Sequence, residues 1–447
     1  MAKRTQNTEH VSYVYIDESL CNGCVLCMKA CPTKAIRVKE GNVARIEGVC
    51  IDCWECARVC PKGAIKAITS ESLDLTERDN LIVSPSTVLY SQFGEDILPN
   101  DVLLGLKKMG FGYIHDQSYT SEIFSLAIEL YIKENRKKPN SPFPFISPVC
   151  PVVVSLIAYR FSSLLEHIPP LITPREIVAR EGKARLSARH GGKAEEFKVL
   201  HITPCPSKMI CMKEPILQEH SYLDATIGIN SIYEMLRNNI QDVEDDIVLH
   251  HSGGIGLSWG MSGGEISGVD LNCLAVSGLQ ETIHYLEKIE MGLLGDIDYV
   301  EFRACAEGCL GGPFTVMDKY RAKRNLQKLV RMFGIEKRIK YGYVKKLYEK
   351  GWFFTDKSAI PGSVDLSQLT PSEISEAIER QNRLEDILRL LPRKECGACG
   401  SPDCRTFAED VVDGRDSLRS CVFWEGQEKK LGLSGDKRPG RIQEGLH

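Results

Sequence analysis

The residues of this 447-residue chain best suited to chemistry are its eighteen cysteines, which fall into three groups. Eight lie between positions 21 and 60, four between 396 and 421, and six (Cys150, Cys205, Cys211, Cys273, Cys305 and Cys309) are spread through the middle. In a reducing compartment, clustered cysteines serve as metal ligands or catalytic groups rather than as a disulfide framework. The middle group carries the sharpest local pattern. Glu301-Phe302-Arg303-Ala304-Cys305-Ala306-Glu307-Gly308-Cys309-Leu310-Gly311-Gly312 sets two cysteines four residues apart, directly after the strand-like run Ile297-Asp298-Tyr299-Val300. Glycine at 308, 311 and 312 lets backbone approach a bulky inorganic group. Two thiols cannot complete a four-thiolate site. Two further loops supply the rest, Ser147-Pro148-Val149-Cys150-Pro151 and Thr203-Pro204-Cys205-Pro206-Ser207-Lys208. The three loops together hold four thiols, the complement for one iron–sulfur cube. Cys273, inside an apolar strand, reads as core, and Cys211 stays open between the two roles.

The N-terminal group is a tandem repeat. Residues 21–32 and 50–61 both read C-x2-C-x2-C-x3-C-P, with a period of 29 residues. This is the spacing of two-cluster bacterial ferredoxins, in which the fourth cysteine of each run ligates the other cluster. It assigns Cys21, Cys24, Cys27 and Cys60 to one [4Fe–4S] cluster, and Cys50, Cys53, Cys56 and Cys31 to a second. Near the C-terminus, Cys396, Cys399, Cys404 and Cys421 follow C-x2-C-x4-C-x16-C, with glycines between the close thiols. That set suits one more [4Fe–4S] cluster, with a structural zinc as the alternative.

The elements that must hold these thiols have an α/β pattern. Strand signals at Leu81-Ile-Val-Ser-Pro, Phe111-Gly-Tyr-Ile-His, 197–202, 225–229 and 271–277 alternate with helical stretches at 101–108 and 121–134, the latter read as amphipathic. Alternation of this kind predicts mainly parallel sheets with ligand loops after strand ends. The expected organisation is a ferredoxin-like α+β domain over 1–78, a two-lobed α/β domain over 79–354 and a linker over 355–369. A small helical iron–sulfur domain over 370–433 and a disordered tail over 434–447 complete it. Thr370-Pro371-Ser372-Glu373 reads as a capping box opening a helix to about Leu391, with Ile374, Ile378, Leu384, Ile387 and Leu391 as its apolar stripe. A net charge of −4 offers no case for nucleic acid or an anionic membrane. The polar N-terminus and the absence of a spanning apolar run predict a cytoplasmic protein.

The three middle loops resemble the signature loops of the [FeFe]-hydrogenase catalytic domain, commonly T-S-C-C-P, M-P-C-x-x-K and E-x-M-A-C-x-x-G-C-x-x-G-G. The segments 256–265 and 276–279 are similar to family segments as well, and together with the ferredoxin repeat the resemblance covers roughly residues 15–345. It implies an H-cluster: a [4Fe–4S] cube on Cys150, Cys205, Cys305 and Cys309, with Cys309 bridging to a di-iron subsite that carries CO, cyanide and an azadithiolate. Ser147, Pro148, Thr203, Pro204, Lys208 and Arg303 would line that cofactor, and the Lys208 ammonium would donate to a cyanide. The implied reaction is H2 ⇌ 2H⁺ + 2e⁻, with H2 and protons as substrates and a ferredoxin or other redox partner.

Departures from the family pattern set the expected rate. Prototypical members place a second cysteine just before the first ligand as the last step of proton delivery, and Val149, which can neither give nor take a proton, stands there. Thr203 and Arg303 replace methionines, and Cys211 replaces an acidic residue. Glu129 matches the inner relay glutamate when a three-residue insertion is allowed. Glu307 is a further candidate proton carrier, with a solvated loop carboxylate as the plainer reading. These changes, and a C-terminal motif similar to that of corrinoid iron–sulfur proteins and sensory-type hydrogenases, resemble the divergent sensory groups. The expectation is a slow hydrogenase used as a hydrogen or redox sensor, with a signalling protein and a second copy of the chain as candidate partners. The alternatives are a metabolic hydrogenase and an iron–sulfur assembly or electron-transfer protein without the di-iron subsite.

Overall fold

The computed structural model describes residues 13–69, 81–240, 247–355 and 370–424. The expected tail at 434–447 and nearly all of the expected linker at 355–369 lie outside the described residues. The architecture is mixed α/β, with parallel sheets in the middle of the chain.

The N-terminal part is a small pseudo-symmetric unit. Strand β1 (Val14–Ile16) pairs antiparallel with β4 (Ile65–Ala67), and β2 (Ile36–Val38) pairs antiparallel with β3 (Ala44–Ile46). One short helix lies within each cysteine run, at Leu26–Ala30 and Glu55–Arg58. Its core is thin (Val14, Met28, Ala35, Ile36, Ala44 and Ile65), and cysteines Cys27, Cys31 and Cys56 are part of it. So small a core needs the inorganic groups as cross-links, as other metal-dependent mini-domains do.

The middle of the chain forms two lobes. In the first, β5 (Leu81–Pro85), β6 (Tyr113–Ile114), β8 (Lys198–Thr203) and β9 (Ala225–Gly228) make a four-stranded parallel sheet in the order β6-β5-β8-β9. In the second, β7 (Phe145–Ile146), β10 (Cys273–Ser277) and β11 (Tyr299–Arg303) make a three-stranded parallel sheet in the order β10-β11-β7. Strand β6 is shorter than the expected 111–115 run. The loops after β7, β8 and β11 all leave the carboxyl ends of their sheets, where open α/β sheets place their sites.

Two expected patterns differ in the fold. The helix over Gln117–Asn135 is buried on every face over Gln117–Glu129 apart from Tyr119, so it is not amphipathic there. It packs against the helices Pro174–His190, Gly254–Ser258 and Tyr341–Glu349, and surrounding contact replaces the one-sided burial its periodicity suggested. The capping box at Thr370 and Glu373 is present, and the helix it opens spans Pro371–Leu390. Of its expected stripe, Leu384 and Leu391 are buried, whereas Ile374 and Ile378 are 43% and 55% exposed. The C-terminal core is Leu384, Leu391, Phe407 and Ala408, which covers only the last turns of that helix.

Candidate metal centre

The structure gathers sixteen cysteines round four cavities. Cys21, Cys24, Cys27 and Cys60 surround one of about 350 Å³, and Cys31, Cys50, Cys53 and Cys56 surround a second of about 350 Å³. The fourth cysteine of each run thus crosses to the other set. Main-chain amides aim at the sulfurs: Ala44 N–H at Cys21 (3.4 Å), Ala35 N–H at Cys31 (3.3 Å), Asp52 N–H at Cys50 (3.4 Å) and Ala64 N–H at Cys60 (3.4 Å). Such donors suit anionic thiolates, and they recur at each half of the repeat. Burial pushes the Cys27 thiol up to about 11, so a thiolate there needs the compensating charge of a metal.

The central cavity, about 420 Å³, is lined by Cys150, Cys205, Cys305 and Cys309. Cys150 and Cys205 occupy the residues just before the helices Pro151–Arg160 and Pro206–Lys213. Both helices start with proline, whose fixed φ suits the first turn and leaves no N–H wanting a partner. Gly308 has φ +76° and would place a Cβ 2.6 Å from the Ser262 nitrogen, so no side chain fits there. Lys208, 7% exposed, holds its Nζ 3.6 Å from Cys309 Sγ and also lines the cavity. Arg58 donates to Cys305 Sγ (3.1 Å) and to the Gly311 carbonyl (3.1 Å). Burial pushes Cys205 up to about 12 and Cys305 to about 11. Asp52 and Cys53 of the ferredoxin-like part line this same cavity, so the Cys31/Cys50/Cys53/Cys56 set abuts the central one.

Beside Cys150 the chain builds a buried polar network that sequence reasoning missed. Tyr299, Glu301 and Arg303 alternate along β11 and share one face, while Val300 and Phe302 fill the other. Glu265 Oε2 accepts from Arg303 (2.7 Å) and from Ser147 Oγ (2.9 Å), and Oε1 accepts from the Tyr299 hydroxyl. Ser147 Oγ in turn accepts the Val149 N–H at 3.2 Å. Glu301 accepts main-chain N–H groups of Gly263, Glu265 and Ile266 and lies 3.6 Å from the Arg303 guanidinium. All five residues are 1% exposed or less. Burial lifts the Glu301 carboxyl to about 7, the nearby Glu265 adds to that, and Arg303 opposes both. Burial works against the charge on Arg303, but the two carboxylates outweigh it and hold the guanidinium ionised. The signal was present as a period-2 run of polar residues in a buried strand.

The other candidates fall as follows. Val149 is 7% exposed and packs in the apolar cluster with Ile128 and Trp259. Thr203 is fully buried, with its hydroxyl 3.5 Å from the Cys205 carbonyl, and Pro204 accepts the Phe314 N–H at 3.0 Å and lines the central cavity. Pro148 lines a separate cavity with Arg175 and Cys211, and Arg175 donates to Cys211 Sγ at 3.2 Å. Glu129 is tied to Lys133 (2.5 Å) and Lys337 (3.3 Å), with the Asp270 N–H at 3.4 Å. Burial raises that carboxyl, and the two lysines outweigh the effect and hold it below its ordinary value. Glu307 pairs with Lys323 at 2.6 Å and is half-buried. Cys273 is half-buried against the same apolar cluster as Val149.

Cys396, Cys399, Cys404 and Cys421 surround the fourth cavity, about 330 Å³. Asp403 caps the helix Cys404–Val412 by accepting the Thr406 N–H at 2.7 Å, and Glu395 accepts the Cys404 N–H at 2.8 Å. Among the described residues no three Cys, His, Asp or Glu side chains close round the position of a single ion. Four thiols round one cavity are the donor set of a [4Fe–4S] cluster and also of a structural zinc.

Family models match the stretches of chain that carry these cysteines. The model for "Iron only hydrogenase large subunit, C-terminal domain" matches residues 79–267 and 258–313, one for a "4Fe-4S dicluster domain" matches 13–61, and one for an Fe-S cluster matches 391–423. The chain is 23% identical over 221 residues to "Iron hydrogenase 1" of Clostridium pasteurianum, covering 47% of this chain and 36% of that protein. It is 22% identical over 365 residues to the "Periplasmic [Fe] hydrogenase large subunit" of Nitratidesulfovibrio vulgaris, covering 68% and 86%. It therefore spans about a third of the first relative's length and most of the second's. An apo [FeFe]-hydrogenase HydA1 variant from Chlamydomonas reinhardtii shares the fold at a TM-score of 0.52 and 14% identity, over 66% of this chain and 97% of that one. Matched over more than half its length by the family model and carrying its four central cysteines in the segments that follow β7, β8 and β11, the chain belongs to the iron-only hydrogenase large-subunit family.

Proposed function

We propose that this protein interconverts H2 with two protons and two electrons, turns over slowly, and serves as a hydrogen or redox sensor. The observation that carries the proposal is the convergence of Cys150, Cys205, Cys305 and Cys309 on one cavity, with the buried Lys208 ammonium 3.6 Å from Cys309 Sγ. A buried cation beside a ligand sulfur is expensive unless an anionic group shares the pocket. Cys309 and Lys208 would hold the cyanide-bearing di-iron subsite of an H-cluster, which would supply that anion and the hydrogen chemistry. The residues divide the remaining work. The four thiolates would hold a [4Fe–4S] cube, Lys208 would orient the di-iron group by donating to it, and the apolar side chains round Val149 exclude water. Val149 offers no proton at the position where the family's relay ends, which is the reason for proposing slow turnover. The domains are proposed at 1–78, 79–354 and 370–433, with [4Fe–4S] clusters on the two ferredoxin-type sets and on the C-terminal set.

Ferredoxin or a comparable carrier is proposed as redox partner, a signalling protein and a second copy of the chain as further partners, and the cytoplasm as the location. No helix among the described residues is long and apolar enough to cross a membrane. The test is exchange of H2 with deuterated water after maturation with a di-iron cofactor. Exchange with evolution well below that of prototypical enzymes is expected. Evolution as fast as theirs would overturn the sensory reading, and no exchange at all would favour an assembly or electron-transfer protein.

A further inference from the structure

The ferredoxin-like part and the C-terminal four-cysteine part are more than 300 residues apart in sequence, yet they are built onto one another. Asp410, fully buried, accepts from Arg37 Nε at 2.6 Å and Nη2 at 3.1 Å, and from Ser401 Oγ at 3.2 Å. Arg37 is itself 3% exposed. A desolvated, doubly bonded ion pair of this kind fixes geometry, because separating it would strand both charges. Lys29 crosses the same boundary and donates to two main-chain carbonyls, Glu395 O at 2.7 Å and Pro402 O at 2.6 Å.

The contacts fall beside ligand cysteines on both sides. Gly400, next to Cys399, accepts the Val38 N–H at 2.9 Å, and Val38 lines the cavity of Cys21, Cys24, Cys27 and Cys60. Gly400 has φ +81°, and a Cβ there would sit 2.2 Å from the Val38 carbonyl oxygen, so the two segments meet as closely as backbone permits. Gly397, next to Cys396, lies against Met28, next to Cys27; a Cβ on it would stand 3.0 Å from Met28 Cε. Met28 is fully buried at this seam.

We propose that the C-terminal four-cysteine site is the outer end of one linear electron path. From it the path runs through the Gly400–Val38 and Gly397–Met28 contacts to the Cys21/Cys24/Cys27/Cys60 site. It continues through the Cys31/Cys50/Cys53/Cys56 site to the central cavity, which Cys53 also lines. Lys29 and Asp410 are positioning residues for this path. Each transfer moves one electron, oxidising the donor cluster and reducing its neighbour, with no bond made or broken; an external one-electron carrier closes the balance. Cys396, Val422 and Phe423 are exposed, so the outer end is open to such a carrier. The inference rests on the proposed reading that these sites hold [4Fe–4S] clusters, and it needs no di-iron subsite.

The test is electron paramagnetic resonance on the full-length, cluster-reconstituted and reduced protein, with iron and zinc counted in the same samples. In the wild type, spin–spin interaction with the C-terminal cluster should broaden the ferredoxin-type signals and speed their relaxation. Cys404→Ala should remove the C-terminal cluster and that contribution together. Lys29→Glu sets a carboxylate against two carbonyls; it should keep the wild-type iron count and lose the interaction. Asp410→Asn should weaken it, and gives a second reading should Lys29→Glu shed iron. Relaxation in the wild type equal to that of Cys404→Ala overturns the proposal. So does interaction undiminished in both docking variants, and so does zinc in place of iron at the C-terminal site. Failure of hydrogen exchange alone leaves all of these readings intact.

Discussion

Replacing Arg303 by methionine, the residue usual in the family, should loosen strand β11 rather than improve it. Arg303 Nη2 lies 2.7 Å from Glu265 and Nε lies 3.6 Å from Glu301, with all three side chains 2% exposed or less. Removing one member of a buried ion pair costs about 3–5 kcal/mol, because the partner charge is left uncompensated. Here the cost falls near the lower figure. Glu265 keeps the Ser147 and Tyr299 donors, while Glu301 keeps three main-chain N–H groups and, with its carboxyl already lifted to about 7, can discharge itself by taking a proton. About 3 kcal/mol corresponds to roughly a 150-fold rise in the opening equilibrium of the strand. Native-state hydrogen exchange, followed in peptides covering 299–303, reads that quantity locally. Adding Glu265→Gln to the Arg303→Met protein should then cost less than adding it to wild type, because the pair is already broken. A change in exchange under about threefold, or a Glu265→Gln cost equal in the two backgrounds, would refute the reasoning.

Three further outcomes follow from the same site. Val149→Cys places an ionisable group at the relay position, and a positioned acid or base contributes about 10²–10⁴-fold; hydrogen evolution by the matured protein should rise at least about tenfold, and an unchanged rate would mean protons arrive elsewhere. Glu301 is protonated in the fold at pH values where it is ionised in the unfolded chain, so its stabilising contribution is complete below about 4.5 and is lost as pH rises through about 7. Urea midpoints should therefore correspond to a loss of about 1 kcal/mol between pH 6 and 8, a loss that Glu301→Gln abolishes. Lys208→Met should leave the iron content of the cubes unchanged and weaken retention of the di-iron group, seen as fewer bound CO and cyanide per protein after maturation; full retention would show that the 3.6 Å approach to Cys309 has no binding role.

The thiol sets and the strands that carry them were legible in the sequence because both signals are local. Cysteine spacing within twelve residues specifies each ferredoxin-type loop, and Leu81–Pro85 is a short apolar run that ends in proline, whereas β11 (Tyr299–Arg303) keeps only Tyr299 and Val300 of the expected 297–300 run. What escaped was set by contacts distant in sequence. Periodicity could not show that Gln117–Glu129 is enclosed on nearly all sides, nor that Ile374 and Ile378 extend beyond the small core that covers Leu384. Glu265 and Arg303 are 38 residues apart, and Arg37 and Asp410 are 373 apart; neither member of either pair carries a mark of its partner. The polar alternation of Tyr299, Glu301 and Arg303 is readable in the sequence, but it has the pattern of a strand with one solvated face, and only the fold shows both faces buried.

The central claim is that Cys309 and Lys208 hold a di-iron group bearing CO and cyanide beside a cube. Infrared spectroscopy of the protein after maturation tests it most directly. The account predicts sharp bands of iron-bound CO and cyanide that persist after gel filtration and are absent from a Cys309→Ser protein matured in parallel. A wild-type protein that carries its full complement of cube iron yet shows no such bands would contradict it.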